Sequence, residues 1–146
     1  MAGAAGMSLA FLLISTEACS QKQIRASDRV RTYLKIESSV ELTDKNIKDA
    51  VLKIVPVGTS VTDIFEKMAN TGLGSGHCAP GEIDDTAFSN LPYCEFRSSD
   101  DTCGDEYVNY NIYFVLAMKP GMKDLFEPGA TSLQGIKVNR WVRPCR

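Results

Sequence analysis

"YVNYNIYFVLAM", residues 107–118, sets apolar and polar positions in alternation. Val108, Tyr110, Ile112, Phe114, Leu116 and Met118 fall on one side, and Asn109, Asn111 and Tyr113 on the other. Successive strand residues point to opposite faces, so a period of two over this length predicts a long, half-buried strand. A sheet with one apolar face needs a second layer, and the residues upstream supply it. Thr43-Asp44 is a good N-cap signal. Ile47, Ala50, Val51, Ile54 and Val55 then follow the spacing of one helical face, and Pro56 ends the helix. "PVGTS" (56–60) turns the chain. Thr59 or Ser60 caps a second helix, with Asp63 in its first turn and Ile64, Phe65 and Met68 as its apolar face. Gly72 is the natural left-handed stop.

Downstream of the long strand, "KPGMKDLFEPGATS" (119–132) is turn-rich. Ile136, Val138 and Val142 form a last strand in which Arg140 breaks the alternation. Tyr93–Arg97 reads as a shorter strand and Gly76–Ala79 as another. Helices followed by antiparallel strands make an α+β fold. The expectation is two helices packed on one face of a three- to four-stranded antiparallel sheet, after an N-terminal leader.

The chain has 146 residues, one domain's worth. Apolar residues are 44% and charged residues 23%, the composition of a globular protein. A net charge of −2 gives no electrostatic reason to expect nucleic acid. No apolar run reaches the roughly 18 residues of a membrane span. The organisation reads as a leader over 1–20, a tether or short helix over 21–42, and the α+β domain over 43–146. In the middle segment Ser27-Asp28 could cap a helix carrying Val30, Tyr33 and Leu34.

The leader reading rests on charge and apolarity. No Lys or Arg precedes Lys22, and Ser8–Ile14 is mostly apolar. Thr16 and Ala18 suit cleavage before Cys19; Ala18 and Ser20 suit cleavage before Gln21. The five cysteines are Cys19, Cys78, Cys94, Cys103 and Cys145. If Cys19 is lipidated or removed with the leader, an even set of four remains, enough for two disulfides. The surroundings of Cys19 resemble a bacterial lipoprotein leader, which implies acylation of that cysteine and a lipid anchor in a membrane.

"IVPVGTSVTDIFEKMANTGLGSGHC", residues 54–78, resembles the small envelope domains of the outer-membrane lipoprotein A/small protein A family and the related β-lactamase inhibitor protein fold. That resemblance implies two helices on an antiparallel sheet, a periplasmic or outer-membrane location (otherwise a secreted protein), and binding to an envelope or secreted protein with neither catalytic residues nor a cofactor. The implied fold brings Cys103 toward Cys145 and Cys78 toward Cys94. Four cysteines allow three connectivities, and a Cys94–Cys103 pairing stays open.

Three sets of residues carry candidate chemistry. His77 is the sole histidine and adjoins Cys78, but strand neighbours point apart, so a catalytic pair is a poor reading beside a surface histidine next to a cystine. Asp100, Asp101, Asp105 and Glu106 gather in the loop 100–106, with Glu82, Asp84 and Asp85 as an extension. Such oxygens can hold Ca²⁺, although the spacing is not that of an EF-hand loop, and a solvated acidic loop is the default. After Glu127 every charge is basic: Lys137, Arg140, Arg143 and Arg146, with Trp141 among them. Lys137, Arg140, Trp141 and Arg143 are the candidate partner-binding set, against the plainer reading of a charged edge strand that resists aggregation. By alternation Lys137, Asn139, Trp141 and Arg143 share a face. The leading function is therefore an exported, non-catalytic protein-binding domain of the bacterial envelope. The alternatives are a small secreted hydrolase or thiol enzyme, and a calcium module.

Overall fold

Three helices are set by local signals and by one distant one. In the computed structural model, which describes residues 24–74, 76–79 and 91–145, they are α1 (Ala26–Leu34), α2 (Asp44–Ile54) and α3 (Val61–Ala69). Thr43 caps α2 by accepting from the Asn46 N–H, and Ser60 caps α3 by accepting from the Asp63 N–H. Both satisfy donors that the first helical turn leaves without partners. Ile47 and Val51 of α2, Val55 beyond it, and Val61, Ile64 and Met68 of α3 are buried.

The first helix is the departure from the expected pair. It begins after Arg25 rather than at Ser27-Asp28, and its N-cap makes no side-chain hydrogen bond. Ala26, Val30 and Leu34 nonetheless belong to the core, so the packed domain begins well before residue 43. Gly72 (φ +73°) follows α3, and a Cβ there would stand 2.9 Å from the ring of Tyr33. Only glycine combines that backbone with so close an approach to α1.

Four strands complete the chain: β1 (His77–Ala79), β2 (Tyr93–Ser99), β3 (Glu106–Met118) and β4 (Thr131–Pro144). They form one antiparallel sheet in the order β1-β2-β3-β4. A register shift at Val115/Leu116 marks a bulge against β4. Cys94, Phe96, Tyr110, Ile112, Phe114, Leu116, Ile136 and Val138 line the face that meets the helices. Phe96 stacks edge-on against Phe114 at 5.4 Å and tilts against Phe65 of α3 at 5.2 Å. The α+β architecture expected from the pattern is thus present, with three helices on one face of the sheet.

Two disulfides close the sheet. Cys78–Cys94 joins opposed residues of β1 and β2, and Cys103–Cys145 ties the start of β3 to the end of β4. On a loop-entropy basis they restrict the unfolded chain by about 3 and about 4 kcal/mol. The pairing is the one the implied fold suggested, and it is compatible with an oxidising, extracytoplasmic home. Among the described residues no helix is long and apolar enough to cross a membrane. The leader 1–20 with Cys19, and Glu82, Asp84, Asp85 and Arg146, lie outside the described residues.

Candidate functional site

Strand alternation that turns one side of the sheet to the helices turns the other away from them. No described element packs on that second face, and the register assembles it in rows. His77, Glu95, Tyr113 and Lys137 are one row; Arg97, Asn111 and Asn139 the next; Ser99, Asn109 and Trp141 the next; Tyr107 and Arg143 the last.

At one end a buried carboxylate organises its neighbours. The Glu95 side chain is 7% exposed, with His77 Nε2 at 3.4 Å and an Arg97 guanidinium nitrogen at 3.2 Å. A carboxylate this far from water needs such partners. His77 and Arg97 remain largely exposed, at 63% and 55% of their side chains. Along the centre of β3 runs a ladder of side-chain hydrogen bonds. Ser99 Oγ donates to Asn109 Oδ1 at 2.5 Å, Asn109 Nδ2 to Asn111 Oδ1, and Asn111 Nδ2 to the Tyr113 hydroxyl at 3.1 Å. Burial pushes the Tyr113 phenol above its ordinary range; the Asn111 donor pulls against that, and the Glu95 carboxylate pushes it further up. Tyr93 meets Tyr113 edge-on at 5.6 Å.

The alternation of β3 predicts a solvated polar side, and here the structure corrects the reading. Asn109 and Asn111 are buried. Their amides hydrogen-bond to one another and to Ser99 and Tyr113, and the aromatic end of the face flanks them. At that end the Arg143 guanidinium lies 4.7 Å above the Tyr107 ring and 6.0 Å from that of Trp141, and the two rings are 6.1 Å apart. Trp141 stays 41% exposed.

Of the predicted partner-binding residues, Lys137, Trp141 and Arg143 share this face. Arg140 does not. The strand turns it to the helix side of the sheet, where its guanidinium lies 6.0 Å over the ring of Tyr110. Sequence reading missed Glu95 and Arg97, and placed Asn109 and Asn111 on the polar side of the strand without giving them a role. The signal that pointed to them was the i, i+2 spacing of polar residues within two strands, which places each pair on one face.

Three residues of the other candidate chemistries have structural roles. Cys78 is bonded to Cys94 and has no thiolate, and it lies on the face opposite His77. Asp100 is buried. It accepts from the Ala26 N–H at 2.7 Å and the Val108 N–H at 2.9 Å, and stands 3.6 Å from the Arg25 guanidinium. Asp101 pairs with Arg29. Among the described residues no three His, Cys, Asp or Glu side chains gather as a metal site. A groove of about 880 Å³ runs among the three helices, walled by Leu34, Ile36, Val40 and Ile54. Lys53 and Lys67 at its rim lie in the last turns of α2 and α3, where cations offset the helix dipoles. Lys67 donates to the Ile54 carbonyl. Comparison with family models, with curated proteins and with solved structures found no match.

Proposed function

We propose that this chain is an exported, non-catalytic domain that binds another envelope or secreted protein through the helix-free face of its sheet. One observation carries the reading: an exposed Trp141 and the cations Arg97 and Arg143 stand on a face whose underlying polar groups already hydrogen-bond to one another. Such a surface needs little ordering when a partner arrives, which lowers the cost of association. Aromatic and arginine side chains are also those that most often anchor protein interfaces. The face is basic although the chain is not, so it suits a partner with an acidic surface. Two cystines and the leader-like first twenty residues support export. The likeness of residues 54–78 to small envelope domains points to the bacterial envelope. Cys19 is either an acylated first residue, holding the domain to a membrane, or lost with the leader.

Two measurements test this. Intact mass of the protein from its native host is expected to show a processed N-terminus and two cystines. Cross-linking in the envelope is expected to trap a partner through the wild-type domain, and Trp141→Ala to weaken that capture at least about tenfold. An unprocessed, fully reduced chain in the cytosol, or capture that ignores Trp141 and Arg143 alike, would overturn it.

A further inference from the structure

The edge of the sheet offers a second surface, whose occupant is legible in its charge. Lys119 N–H bonds to the Ala130 carbonyl and Cys145 N–H to the Asp105 carbonyl. Antiparallel bonding alternates along a ladder. From Gly135 to Cys145 the odd-numbered residues of β4 therefore bond to β3, and Ile136, Val138, Arg140 and Val142 turn their N–H and C=O groups outward. Before the bulge the outward residue is Leu133, and its edge is closed: Gly58 N–H donates to the Leu133 carbonyl and Leu133 N–H to the Thr59 carbonyl. Beyond it, no hydrogen bond from a described residue reaches the outward groups of Val138, Arg140 or Val142. Residues 139–144 are all exposed. An open stretch of edge is a template for pairing with another strand.

We propose that the edge of β4 over Val138–Val142 takes an acidic, extended segment of the partner as a fifth strand. The proposal rests on reading the chain as a binding domain, but it uses the edge rather than the face. Charge complementarity selects the occupant. β4 carries no acidic residue, and Arg140 and Arg143 flank the open edge on opposite faces of the sheet. An incoming strand with Glu or Asp at alternating positions meets a cation whichever face those positions take. A second copy of β4 is disfavoured, because antiparallel pairing with itself crowds like charges along the new ladder.

The test uses the folded, oxidised domain and two synthetic octapeptides, alternating Glu-Val and alternating Lys-Val. The acidic peptide is expected to bind, and to protect and shift the amide resonances of Val138, Arg140 and Val142, while the basic peptide does neither. Arg140→Pro removes an outward N–H without taking a bond from the β3–β4 ladder, and is expected to weaken binding at least about tenfold. Arg140→Glu, an exposed change that keeps the backbone, is expected to do the same. Equal binding of the two peptides, no response at those amides, undiminished affinity in both variants, or a β4-linked dimer of the free protein would each overturn the proposal. Trp141→Ala separates the two readings. If it weakens partner capture while the edge variants do not, the face reading stands and the edge proposal fails.

Discussion

Asp100 shows how one carboxylate can hold two distant parts of a chain. Its oxygens accept from the first residue of α1 and from β3, with Arg25 alongside. It supplies from 74 residues away the cap that Arg25 does not provide from its own side chain. Replacing a buried acceptor strands its donors, at about 1–3 kcal/mol. Asp100→Ala is expected to cost about 3 kcal/mol of stability, read as a lower urea midpoint, and Asp100→Asn less, since one oxygen remains. Tyr113 provides a second residue-scale test. Its phenol is held above the ordinary value of 10.0 by burial and then by Glu95. The folded chain thus keeps that proton longer than the unfolded chain does. Stability contributed by the protonated phenol is present below pH 10 and is lost as pH rises through the raised folded value. Absorbance titration of the folded protein is expected to show the Tyr113 phenol ionising above the ordinary range, and Glu95→Gln to bring it down.

The elements differ in how they are held, and the caps provide the test. Thr43→Ala and Ser60→Ala are each expected to cost about 1 kcal/mol by chemical denaturation. The two changes are expected to be additive, because they touch different helices. The same difference explains what could be read in advance. α2, α3 and β3 carry their periodicity and boundaries within themselves, so Ile47–Val55, Ile64–Met68 and Val108–Met118 announced them. α1 has only Ala26, Val30 and Leu34 as its buried stripe among charged neighbours, and its start is fixed by Asp100 on β2's far end. No local window contains that information. The face of the sheet was legible at Trp141 and Arg143, where one strand's alternation sufficed. It was illegible at Glu95, whose burial depends on His77 and Arg97 meeting it through β1–β2 register and strand spacing. Arg140 was grouped with Lys137, Trp141 and Arg143 by proximity, while the period of two already set it on the other face, where it lies over Tyr110.

For the whole molecule the cystines are the largest single restraints. Loss of Cys103–Cys145 in a Cys103→Ser/Cys145→Ser variant is expected to cost up to about 4 kcal/mol, and loss of Cys78–Cys94 up to about 3 kcal/mol. Those sums rival the net stability of a small domain, roughly 5–15 kcal/mol, so the doubly reduced protein is expected to melt far below the oxidised one in a calorimeter. The clasp at Asp100 and the cystine at Cys145 lie at the same corner: Arg25 comes within 3.1 Å of the Cβ position of Gly104, next to Cys103. The Arg25 side chain near one end of the described chain therefore reaches the corner where Cys145, at the other end, is bonded. Tension applied between the two ends loads the Asp100–Ala26 clasp first and peels α1 away. Strands β3 and β4, looped shut by sulfur, cannot lengthen, so a domain tugged by its ends gives up its helices before it yields the sheet.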